Sequence, residues 1–161
     1  RRYRLQDSPY IYTNGIHGAY VEVDVDTGWI KHLKHWVVED CGRIINEQLA
    51  DEQIRGGCVQ GLGGALYEHC IYNDYGQLQN GTMADYVTPM MSEMPDIHVG
   101  HVQTPTSESE LGAKGAGESG TGAAPGVMMN AVNNAIKPLT EGRVTEQPIT
   151  PELVLKALRK I

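Results

Sequence analysis

Residues 111–136, LGAKGAGESGTGAAPGVMMNAVNNAI, constrain the fold of this chain more than any other stretch. Four glycines, Gly112, Gly115, Gly117 and Gly120, fall within nine residues, with Lys114 and Glu118 as the only charges among them. Glycine permits positive φ and close approach of backbone to a neighbour. Converging amide N–H groups favour anionic or carbonyl-like oxygens. A lone carboxylate in such a loop, with one cation four residues earlier, is poorly explained by packing alone. The spacing predicts a loop over 112–122 and a helix over 123–136, with Pro125 in its first turn.

The other elements follow from periodicity. Residues 16–26 alternate, with Ala19, Val21 and Val23 against Tyr20, Glu22 and Asp24, as a half-buried strand does. Asp26-Thr27-Gly28 is turn chemistry, and 29–40 reads as a second strand closing an antiparallel hairpin. Residues 46–69 carry Leu49, Ile54, Cys58, Leu62 and Leu66 near helical spacing, interrupted by Gly56, Gly57, Gly61, Gly63 and Gly64. Each glycine costs about 1 kcal/mol against Ala in a helix interior. Such a helix needs something close against its backbone, either a cofactor or neighbouring segment, or a tightly packed sheet. A short hairpin over 71–78, a strand over 97–104 and a last helix capped by Thr150 with Pro151 at its first position complete the set. Strands and helices interleave without regular βαβ units, so the class is α+β, in one domain over 1–161.

A net charge of −7 argues against a nucleic-acid partner. No apolar stretch approaches a membrane span, and residues 1–10 do not look like a signal peptide. Cys41, Cys58 and Cys70 form no CxxC pair and read as reduced, buried thiols. His32 and His35, three apart in a strand, point to opposite faces, as do His98 and His101, while His17 and His69 stand alone. No zinc spacing results, so no metal ligands are assigned. Met90, Met91, Met94, Met128 and Met129 read as gap-filling core.

The pentapeptide Lys114-Gly115-Ala116-Gly117-Glu118 resembles the active-site loop of the molybdenum-binding subunits of the xanthine dehydrogenase family of molybdenum hydroxylases. The likeness continues through Ala123, Ala124, Pro125 and residues 131–136. Residues 17–46 resemble the family's hairpin and following loop, 52–89 its next helix, hairpin and turn, and 150–161 its final helix. Asp40-Cys41-Gly42-Arg43 with Asn46 resembles a loop near the pterin, although Glu47 stands where the family often has Pro.

The resemblance is to the C-terminal part of a longer subunit, and it carries definite expectations. Glu118 is the catalytic base. Gln60, Lys114, Gly115, Ala116 and Gly117 bind the cofactor, a molybdenum-molybdopterin, in the cytosine dinucleotide form by analogy with bacterial members. The reaction is hydroxylation of an aldehyde, an N-heterocycle or a similar small molecule with oxygen from water. The partners are the remainder of the molybdenum subunit and the iron–sulfur and flavin subunits or domains that carry electrons away. The setting is cytoplasmic, and the chain alone is inactive. A second reading stays open, in which the chain is a non-catalytic interaction module whose glycine-rich surfaces at 56–64 and 112–122 pair with a partner subunit or a second copy.

Overall fold

The computed structural model describes residues 11–161, so the reading of residues 1–10 lies outside the described residues. Strand β1 (Asn14–Val23) pairs antiparallel with β2 (Ile30–Asp40), and β3 (Ile97–His101) adds parallel to β2, giving the sheet order β1-β2-β3. Three helices, α1 (Glu47–Leu66), α2 (Ser119–Ile136) and α3 (Pro151–Ala157), make the chain α+β as its sequence predicts. The hairpin turns at Asp24, whose Oδ1 accepts from the Asp26 and Thr27 amides, and at Gly28, whose φ is +74°. Asn46 caps α1 by accepting from the Leu49 amide at 3.1 Å. Thr150 caps α3 with Pro151 at the first position, as expected.

One sheet face carries the core. Val37 packs with Ile54 and Cys58 of α1. A second cluster gathers Leu62 and Ala65 of α1, Ala124, Met128, Val132 and Ile136 of α2, and Val154 of α3. Arg55 donates to the Ile97 carbonyl, and His101 meets Asp51 at 2.6 Å, so α1 is tied to β3. Among the described residues, no helix is long and apolar enough to cross a membrane.

Five expectations are corrected. Cys70 is exposed, whereas Cys41 and Cys58 are buried as expected. Helix α2 begins at Ser119, so the loop ends at Glu118 and Pro125 lies at the seventh helical position, beyond the first turn. Proline has no N–H for the carbonyl four residues back, here Thr121. That carbonyl instead faces α1 at Gly61, where an added Cβ would come within 2.7 Å of it. The segment 71–78 keeps its turn but pairs only as a single bridge, Tyr72 with Leu78. Met90 and Met91 are exposed, because residues 91–93 form an isolated 3-10 turn on the surface; Met128 is core. Finally, a β-bulge between Tyr20 and Val21 pairs Ala19 with His35 but Val21 with His32. The extra residue on β2 puts His32 and His35 on the same face, their ring centroids 5.3 Å apart.

Candidate active site

The glycine loop is docked along its length on the C-terminal end of β2 and on α1. Gly42 bridges Ala113, and the Lys114 amide donates to the Cys41 carbonyl at 2.8 Å. Both turns need glycine. Gly42 and Gly112 have φ of +70° and +75°, and a Cβ on Gly42 would strike the Gly112 carbonyl. Lys114 Nζ sits 3.2 Å from Asp40 Oδ2, with only 12% and 14% of the two side chains exposed. Donation from the Thr104 side chain and amide, and then from the Gly42 amide and the Lys114 ammonium, holds the Asp40 carboxyl well below the usual carboxylate range. The lysine is therefore turned inward, where it fastens the loop to β2.

The second half of the loop rests on α1. Gln53 Nε2 donates to the Gly117 carbonyl at 2.7 Å, and Ser119 Oγ donates to the Ala116 carbonyl at 3.0 Å. Thr121 Oγ1 donates to the Gly57 carbonyl across the helix crossing. At that crossing a Cβ on Gly120 would strike the Ile54 carbonyl, and one on Gly57 would lie 3.1 Å from the Thr121 amide. Of the alternatives the sequence left open, the close neighbour of the glycine-rich helix is, on one side, an adjoining segment, helix α2, and not the sheet.

Glu118 occupies the N-cap position of α2 with its side chain exposed and making no capping bond. Its backbone is held by the Thr121 amide, which donates to its carbonyl. The start of a helix carries a partial positive charge that favours a carboxylate there. Gly117 is exposed, and a Cβ there would meet nothing within 4 Å. Gly115 is exposed too, its amide donating to Ile11, while Ala116 is half-buried.

Gln60 is exposed on α1 and no hydrogen bond joins it to the loop. It follows Gln53 by seven residues, so the two share one side of the helix about 10 Å apart along its axis. Gly56 and Gly64, one turn either side of Gln60, also meet nothing within 4 Å. Among the described residues nothing covers this ledge of two bare glycines and an amide, which ends at the loop that carries Glu118. Gln53 and Thr104 carry no local signal in the sequence, and Asp40, read there as part of a loop resembling one near the pterin, gave no hint of its link to Lys114; these contacts join residues 64 and 74 apart.

Comparison with known proteins gives this geometry a family. Residues 2–95 match the molybdopterin cofactor-binding domain. The chain belongs to that family. It is 43% identical over 152 residues, 94% of its length, to the nicotine 6-hydroxylase large subunit of Paenarthrobacter nicotinovorans, and 32% identical over 151 residues, 92% of its length, to the aldehyde oxidoreductase of Megalodesulfovibrio gigas. These alignments cover 18% and 16% of the two relatives. The quinoline 2-oxidoreductase of Pseudomonas putida 86 superposes with a TM-score of 0.87 at 40% identity, over 92% of this chain and 19% of the other. The chain thus spans less than a fifth of the proteins it matches.

The residues present fit such a cofactor. A bare glycine in a helix leaves room for a group from outside the chain to approach the backbone closely. Gln60 supplies both donors and acceptors beside it.

Proposed function

We propose that this chain carries the general base and one wall of the cofactor site of a molybdenum hydroxylase, an oxidoreductase acting on an N-heterocyclic small molecule. The observation that carries the reading is the clamped loop, which presents Glu118 at its exposed end beside the bare ledge of α1. The heterocycle is supported by the names of the relatives at 43% and 40% identity, nicotine 6-hydroxylase and quinoline 2-oxidoreductase. When bound, a molybdenum-molybdopterin, here in its cytosine dinucleotide form, supplies the two-electron acceptor for substrate oxidation. Glu118 takes the proton from the water that provides the oxygen, a role worth typically about 10²–10⁴-fold. Gln60 donates to the cofactor edge. The exposed backbone of Gly115, Ala116 and Gly117 lets it approach the loop. Lys114 acts from behind, through Asp40, to hold that loop against β2.

Water exclusion around Glu118 has to come from elsewhere, because this chain leaves the side chain exposed. The chain alone is therefore inactive and works with the remainder of a molybdenum subunit and with iron–sulfur and flavin partners, in the cytoplasm. The test is to assemble the complete enzyme with Glu118→Gln and measure molybdenum, pterin and turnover together. Molybdenum at one per complex with turnover lost supports the reading. A stable complex holding neither molybdenum nor pterin would instead favour the interaction module.

A further inference from the structure

On the regular side of the β-bulge, where Ala19 pairs with His35 and His17 with Val37, lies a buried cluster remote in sequence from the loop. His17 on β1, His35 on β2 and Cys58 on α1 each place a ligand atom within 4.8 Å of the other two. His35 and Cys58 have no exposed surface, and the His17 side chain is 1% exposed. His17 Nδ1 and His35 Nε2 face each other at 3.1 Å. In a tetrahedral zinc site with Zn–N near 2.0–2.1 Å, two nitrogens stand about 3.3 Å apart. On the far side of the ring, His17 Nε2 lies 3.4 Å from Oε1 of Glu39, itself 1% exposed. A carboxylate behind a ligating histidine fixes its tautomer and strengthens it as a ligand.

We infer that His17, His35 and Cys58 form a site for a thiophilic divalent ion, zinc, with Glu39 as its outer carboxylate. Imidazole nitrogen and thiolate sulfur are both donors that zinc takes, and three protein ligands leave the fourth position open to water. Charge supports a divalent ion. In this interior, ringed by Val37 and Ile54, one thiolate and one carboxylate balance it. As the Zn–S bond forms, the ion displaces the Cys58 thiol proton to solvent. The ion would join β1, β2 and α1 beneath the ledge, on the opposite side of α1 from the exposed glycines.

Cobalt(II) and zinc titration of the metal-free full chain tests this. The expected result is one equivalent bound, with a thiolate-to-cobalt charge-transfer band that zinc abolishes. Cys70→Ser keeps the band, whereas Cys58→Ser and His35→Ala lose it and bind zinc at least 100-fold more weakly. No band in the parent chain, or the same band in Cys58→Ser, overturns the site. If the Cys58 and His35 variants do not fold, X-ray absorption of the zinc-loaded parent decides. One sulfur and two imidazole nitrogens support the site, and a shell of oxygens alone refutes it.

Discussion

The two sides of helix α1 use glycine for opposite reasons. On the inner side, Gly57 and Gly61 lie where a Cβ would press into the backbone of α2, and Gly120 returns the contact from the other helix. On the outer side, Gly56 and Gly64 meet nothing within 4 Å. The inner glycines answer to this chain's own fold, since they set the helix crossing that seats the loop. The outer glycines lower helix propensity without any internal packing return. Under the proposed function, their explanation lies outside the chain, in a cofactor that covers the ledge.

Substitutions should separate the two sides. The largest effect is expected for Gly120→Ala and Gly61→Ala, which force a Cβ against backbone that cannot move cheaply, costing about 2–4 kcal/mol in thermal or denaturant unfolding. Gly56→Ala and Gly64→Ala should instead stabilise the isolated chain by about 0.5–1 kcal/mol while reducing cofactor content in the assembled enzyme. If the outer pair destabilised the chain as much as the inner pair, the contrast would fail.

Acid offers a second comparison, between the cluster under β2 and the exposed loop. Burial lowers His32 and His35 to about 4, whereas an unfolded histidine titrates near 6.5. Between those values the unfolded chain binds more protons, so stability is full above about pH 6.5 and falls as pH drops towards about 4. The melting temperature of the metal-free chain should drop by about 5 °C or more across that window, and Glu118→Gln should leave the profile unchanged. The smallest effect is expected for Gln53→Ala. Loss of its bond to the Gly117 carbonyl costs about 1 kcal/mol or less of stability, yet it should lower turnover more than it raises KM by loosening the loop.

Much of this was legible in the sequence, and the boundary of legibility is physical. The hairpin, α1 and α3 announced themselves through local periodicity, and α3 also through its Thr150 cap. The family was legible in Lys114 to Glu118. What stayed hidden depends on pairing across long intervals. A single inserted residue opposite Tyr20 and Val21 flips every side chain beyond it, so His32 and His35 could not be placed together from spacing alone. Cys58 reaches them only because α1 crosses β2. Lys114 was expected on the cofactor, and its pairing with Asp40, 74 residues away, has no local signature. Helix α2 started early because a run of small residues packs on α1, an advantage that intrinsic propensity does not register.

The central claim is that this chain supplies the base. Turnover of the assembled enzyme carrying Glu118→Gln, with molybdenum and pterin content measured on the same sample, tests it most directly. The account predicts full cofactor content with kcat reduced by about 10² or more. Turnover within threefold of the parent at equal cofactor content would contradict it.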